Sequence, residues 1–319
     1  MGKIMRTGKQ LNQEKDVTNR GLVHLGIVYL VWGSTYLAIR VGVRDGSGFP
    51  PFTFGALRIL AAGLLLLLWG KWKGGGWKLD RRDAVTLVSS GLLLWIGGNG
   101  LVLWAEQKLD SGITALILSS VPIWVAVLDA VIDRGLPSWR VILALLVGFS
   151  GIVVLSYPIL RAGIQADILS ILAVVMASLF WSGGLAVQSR RPPKVNLQVS
   201  AGYQQIVGGT AFVVLALLFR EPVPDPDPSA WLAFAYLLVF GSLIAFTSFV
   251  TILQVLPVNI ATTYAYVNPV IAVALGWLLL DEPITLWTVS GAALVLIGVA
   301  GVFQERRSSR KASAAGKSG

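Results

Sequence analysis

Among the charged side chains in or at the edge of otherwise apolar runs, Arg58, Glu106 and Asp129 are the ones that could do chemistry. Arg58 lies about eight residues into the run 50–72, roughly 12 Å along a helix. In hydrocarbon such a charge costs about 2.5–3.5 kcal/mol on insertion scales, so it needs a partner or a wet cavity. Glu106 ends the following run on the same half and is the favoured counter-ion. Arg58 then reads either as a grip for an anionic solute group or as one half of a structural ion pair. A coupling proton needs a carboxylate that can be filled and emptied, and Glu106 and Asp129 are the acids on offer. Neither is deep, and Asp129 with Asp133 one turn on also reads as a wetted helix end. Arg40, nearer the outer end of its run, reads as a snorkelling side chain.

Polar-tipped residues form a second set: Trp32, Tyr36, Trp95, Asn99, Trp124, Trp181, Tyr264 and Tyr266, all away from the run ends. A polar tip facing lipid lacks a partner, so these groups should face the interior. There they would line a pocket for a ring-bearing or amphipathic solute, or fill space between helices. Pro122 and Pro269 sit in the middle of corresponding runs. Proline removes a backbone donor and crowds the carbonyl four residues earlier, here Leu118 and Ala265. Ser119, Ser120, Thr262, Thr263 and Asn268 are close enough in sequence to satisfy what is freed. Paired helix breaks of this kind point to a midplane binding cavity, or to two packing kinks.

Bond-making chemistry finds little support. With no cysteine the chain has no disulfide, thiolate metal site or cysteine nucleophile, and His24 is its only histidine. Gly70-Lys71 is followed by Trp72 and lacks the spacing and hydroxyl of a phosphate loop. Asp225 and Asp227 are separated by proline and do not form a diphosphate–Mg²⁺ site. These residues imply no metal and no cofactor, and recognition rather than catalysis.

The elements that must position these residues are membrane helices. The chain is 55% hydrophobic and 13% charged over 319 residues, against roughly 25% charged in soluble domains. Apolar runs fall at 22–43, 50–72, 84–105, 111–132, 139–159, 167–188, 198–219, 230–255, 258–280 and 284–304. Each is near the ~20 residues that a bilayer needs. The first is too long for a signal-peptide core and reads as a retained helix. Trp69, Trp72, Trp77, Trp104, Trp139, Trp231 and Trp287 lie near run ends, as interfacial belts do. The loop 220–229 is proline-rich and stiff. The tail 305–319 is polar and aperiodic and is expected to be disordered.

Shifting the chain by 147 residues lays it on itself: Arg58 meets Gln205, Leu109 meets Leu256, Pro122 meets Pro269 and Gly151 meets Gly298. Five runs per copy turn the second copy over relative to the first. The expected fold is therefore an all-α integral membrane protein of ten transmembrane helices, built as two inverted five-helix repeats. The expected organisation is an N-tail 1–21, a first repeat 22–159, an outside linker 160–166 and a second repeat 167–304 before the C-tail. With the N-terminus cytoplasmic, 20 Lys and Arg fall inside and four outside, the other two being Arg40 and Arg58 within runs. That bias obeys the positive-inside rule and puts both termini in the cytoplasm. It also makes nucleic acid a poor explanation of the net charge of +10.

The strings VWGSTYLAIRVG, PPFTFGALRILAAG and LDEPITLWTVSGAALVLIGV, in this order and across about 22–304, resemble the EamA-type exporters of the drug/metabolite transporter superfamily. Each string is loose alone, and their order is the specific part. The resemblance implies an inner-membrane carrier that works by alternating access on a small organic solute: amino acids, metabolites or drug-like compounds. It implies a central cavity between the repeats, with Trp32, Tyr36, Asn99, Trp124, Trp181, Tyr264 and Asn268 as its expected substrate-binding residues. The chain departs from the commoner Glu-Arg-Pro ending of the first copy, having Asp133-Arg134-Gly135-Leu136-Pro137. The expected partners are the solute, the bilayer and a possible coupling proton. The competing readings are an importer of the same solutes and an integral-membrane enzyme acting on lipids. The second would need a clustered acidic or nucleophilic set that the chain lacks.

Overall fold

The computed structural model describes residues 8–46, 48–133, 138–162, 165–256 and 263–315, and among these there is no strand. The helices are α1 (Gly8–Val43), α2 (Pro51–Trp72), α3 (Arg81–Ala105), α4 (Ser111–Ile132), α5 (Trp139–Ala162), α6 (Gln165–Arg190) and α7 (Leu197–Leu218). Then come α8, in three segments (Pro228–Tyr236, Leu237–Ala245 and Phe246–Val255), α9 (Tyr264–Leu280) and α10 (Leu286–Ala315). Seven of them are long and apolar enough to cross a membrane, and α5, α9 and α10 hold shorter apolar stretches. Leu30, Leu64, Leu146, Leu172, Leu217 and Leu278 are exposed on the outside of the bundle. Such a surface suits lipid, where helices satisfy their own backbone groups.

Local chemistry sets the helix ends. Asp80 caps α3 by accepting from the Asp83 amide at 2.7 Å, and Asn196 caps α7 by accepting from Val199 at 2.9 Å. Asp227 caps α8 through the Ala230 amide at 2.8 Å, with Pro228 in the first turn, where its missing donor costs nothing. These bonds stabilise the anions. The Asp83 amide holds the Asp80 carboxyl below its ordinary range, and the Ser229 hydroxyl does the same for Asp227. Two differences from expectation concern the tails. α1 begins at Gly8 inside the expected N-tail, and α10 runs to Ala315 through most of the segment expected to be disordered. Both stretches are rich in Lys, Arg, Glu, Gln or Ala, which propagate helix well. The linker expected at 160–166 is helical through Ala162, and α6 starts at Gln165.

Two antiparallel pairs frame the bundle. α2 packs along α7, with Gly63 against Gln205 and Gly70 against Val199. α5 packs along α10, and their backbones touch: a Cβ on Gly298 would fall 2.5 Å from Gly148. α1 leans on α8 and α9, as α6 leans on α3 and α4. Two π-helical stretches occupy corresponding places, Leu92–Gly100 in α3 and Leu237–Ala245 in α8. A π turn widens the helix and re-aims its side chains, and it often occurs at functional sites.

The proline-bearing helices differ from each other. α4 is interrupted between Leu118 and Val121, just before Pro122. The hydroxyls of Ser119 and Ser120 donate to the Leu116 and Ile117 carbonyls, both at 2.6 Å, and Ser182 of α6 donates to Val121 at 3.1 Å. The expected recipient, Leu118, is not the one served. α9 is continuous through Pro269, so this proline is no break. Thr262, the side chain of Tyr266 and the turn 134–137 lie outside the described residues.

Candidate solute-binding site

α1, α3, α6 and α8 meet around a cavity with about 110 Å³ of free space, to which α2, α4 and α9 add single residues or pairs. α1 contributes Trp32, Thr35 and Tyr36 at helical spacing, so one face of the helix looks inward. The π stretch of α3 contributes Trp95, Gly98 and Asn99, and that of α8 contributes Leu237, Gly241 and Ser242. Gly98 allows Trp181 to approach: a Cβ there would lie 2.9 Å from the Trp181 ring. Leu118 and Val121, on either side of the α4 break, complete the wall with Arg58, Phe246 and Tyr264.

The rings interlock. Trp32 meets Trp181 edge-on at 5.9 Å and Tyr264 edge-on at 5.3 Å, and lies 4.6 Å from Phe249. These contacts join α1, α6, α8 and α9 at one level, each adding roughly 0.5–1.5 kcal/mol beyond burial. Arg58 is 3% exposed. Its Nη2 donates to Asn99 Oδ1 at 2.5 Å, and its guanidinium carbon stands 5.5 Å from the Phe54 ring centre. Two buried polar atoms of the wall have no partner, Arg58 Nε and Trp95 Nε1, and both are donors. The wall therefore combines aromatic faces with two residues, Arg58 and Trp95, that each keep a buried N–H without a partner. Such a wall holds a flat apolar body and an acceptor, best an anionic one.

Five of the seven expected solute contacts line this cavity: Trp32, Tyr36, Asn99, Trp181 and Tyr264. Trp124 does not; its ring packs edge-on against Phe149 of α5 at 5.1 Å. Asn268 is buried beside Pro269, away from the lining, with its Oδ1 unpartnered. Arg58 is in the wall and its hydrogen bond goes to Asn99, which the π stretch turns towards α2, while the expected counter-ion Glu106 acts on it through its charge without a direct bond. Arg40 does not snorkel. It caps the end of α3, donating to the Glu106 carbonyl at 2.7 Å and to that of Gln107. Asp129 sits outside the cavity and pairs with Arg190 at 3.1 Å, beside the Arg190–Asp133 pair at 2.7 Å. The Arg190 bond holds the Asp133 carboxyl below its ordinary range.

Sequence reasoning passed over Ser242 and Phe246 of the wall, and two glutamates at the end of the bundle that holds the 43–51 and 105–111 turns. Glu221 accepts from the Phe52 and Thr53 amides at 2.8 and 2.6 Å, at the start of α2. Glu282 accepts from the Ser111 and Gly112 amides at 2.8 and 3.0 Å, at the start of α4. Each seals a helix N-terminus, where free N–H groups and the helix dipole favour an anion. Both precede a proline, Pro222 and Pro283, and that dipeptide was the available signal.

Known proteins resemble this chain along most of its length. The EamA-like transporter family matches residues 19–157 and again 168–304. The uncharacterized inner membrane transporter YedA of Escherichia coli strain K12 is 32% identical over 78% of this chain and 79% of its own. The uncharacterized transporter YoaV of Bacillus subtilis is 26% identical over 87% and 95%. Protein PecM of Dickeya dadantii is 28% identical over 86% of each. A solved crystal structure shares the fold with a TM-score of 0.62 at 21% identity, over 91% of this chain and 97% of that one. With two matches that together span most of its length, this chain belongs to the EamA-like transporter family.

Proposed function

We propose that the protein is a secondary active transporter that exports a small organic solute by alternating access, through ten crossings arranged as two inverted five-helix repeats. Several features support the inverted arrangement: the doubled family match, the paired π stretches, and the equivalent packing of α1 on α8 and α9 and of α6 on α3 and α4. The polar residue of each second helix also bonds to the π stretch that follows it, Arg58 to Asn99 and Gln205 to the Ser242 carbonyl at 3.0 Å. Both termini are cytoplasmic in this reading. In its favour, basic residues gather with tryptophan at that end, Lys71 over Trp77 at 4.6 Å and Lys73 over Trp69 at 4.8 Å.

One observation carries the substrate class: an aromatic cavity whose unpartnered polar atoms are both donors. The solute has a flat apolar body and an anionic group, which lies on Arg58. The exporting direction rests on the family resemblance. Rocking of the two repeats about the ring cluster would open one end while closing the other. The test is exchange in liposomes carrying purified protein, with radiolabelled indole-3-propionate as the aromatic carboxylate. The expected result is uptake well above empty liposomes that is lost in Arg58→Gln and in Trp32→Ala. Uptake equal in protein-bearing and empty vesicles across a panel of aromatic carboxylates sinks the substrate class. Direction is read by loading the label on either face of oriented vesicles.

A further inference from the structure

Glu106 is fully buried, and neither of its carboxylate oxygens has a hydrogen-bond partner. It stands one turn beyond Val102, a residue of the cavity wall. The groups around it come from several elements. Tyr36 and Arg40 face it from α1, Arg58 from α2, Thr114 from α4 and Glu282 from the turn after α9. On the α6 side the core cluster that holds neighbouring Ala105 is apolar, with Ile171, Ala173 and Val174. Each cation already has other work: Arg40 donates to the Glu106 and Gln107 carbonyls, and Arg58 to Asn99. Glu282 is engaged with the start of α4. The hydroxyl of Thr114 is buried beside the carboxylate, close enough to act on it though short of a well-formed hydrogen bond.

An ionised carboxylate buried without hydrogen bonds is costly, and the field of Arg40 and Arg58 offsets only part of that cost. An anion lying on Arg58 uses the same field. We propose that Glu106 is a proton-binding site, and that its charge and an anionic solute group at Arg58 exclude one another. The solute anion then binds the form that carries a proton on Glu106, so binding of the two is linked at equilibrium. The proton is taken from water and returned to it, so the step is balanced without a further reactant. Linkage of the proton to solute binding rests on the proposed anion site at Arg58; the proton site itself does not.

Purified wild-type protein in lipid nanodiscs is tested with indole-3-propionate in weak buffer. Above the pH at which Glu106 ionises in the free protein, about one proton should be taken up per probe bound, and affinity should rise by up to about tenfold per pH unit as pH falls through that range. Glu106→Gln should bind with the low-pH affinity at every pH, without proton uptake. PH-independent wild-type binding, or a Glu106→Gln variant that keeps the wild-type pH dependence, overturns the linkage. The wild-type proton count needs no variant, so it stands even if Glu106→Gln does not fold. If no aromatic carboxylate binds, the solute reading fails, and infrared titration of the ligand-free protein still decides the proton site. A titrating carboxyl carbonyl band present in wild type and Glu282→Gln but absent in Glu106→Gln supports it. No such band overturns it.

Discussion

Arg58 is where the cavity wall carries charge, and it is held on one side by Asn99 and on the other by the face of Phe54. That posture keeps the guanidinium in place while leaving Nε free to act. Arg58→Gln should therefore abolish binding of an anionic probe while a neutral aromatic of the same shape still binds, as measured by calorimetry. Trp32 touches three other rings, so Trp32→Ala removes a floor and not merely one contact. We expect probe affinity to fall about tenfold or more. Trp124→Ala, by contrast, should leave affinity unchanged and lower thermal stability, because its ring packs on Phe149. Most of the aromatic wall was legible in the sequence because hydrocarbon forces polar tips inward. Trp124 obeys the same rule, yet it faces a different interior seam. Periodicity tells inside from outside, but it does not tell one inside seam from another.

The helices set what the side chains can reach. The π stretches turn Asn99 towards Arg58 and bring the Ser242 carbonyl to Gln205, and no hydropathy pattern announces a π turn. That is why the sequence favoured Glu106 as the partner of Arg58. Where α5 meets α10, the backbones at Gly148 and Gly298 leave no room for a side chain. Gly298→Leu should destabilise the protein by about 1–3 kcal/mol or more, measured as a drop in melting temperature in detergent. The helix-end carboxylates give a pH signature. Asp80, Asp133 and Asp227 are stabilised as anions in the folded state. The stability they add is present above the ordinary aspartate range near ~3.9 and is lost as pH falls through their lowered folded values. Melting temperature should therefore fall in this acid range, and less steeply in Asp133→Asn.

The duplication was visible from the 147-residue shift, and the packing of α1 and α6 follows it. The traffic between copies was not visible, because it depends on where loops pass in space. Glu221 and Glu282, both in the second copy, close the N-termini of α2 and α4, both in the first. The residues 147 places earlier are Gly74 and Gly135, so the first copy offers no carboxylate at either position. Glu282→Gln should weaken one seal and expose the cavity from that end. The chain has no cysteine, so Thr35→Cys in the cavity wall can be read directly by its rate of reaction with a charged thiol reagent. A faster rate in Glu282→Gln is expected, and an unchanged rate would show that the seal does not govern access. Two identical inverted copies would make the inward-open and outward-open forms equivalent by a two-fold rotation, with equal free energy. One end is fastened by glutamates on helix N-termini and the other by the Asp129 and Asp133 pairs with Arg190, and such unlike fastenings lift that degeneracy. In the proposed alternating-access cycle, such a difference would give the protein a preferred resting side before any solute or ion gradient acts on it.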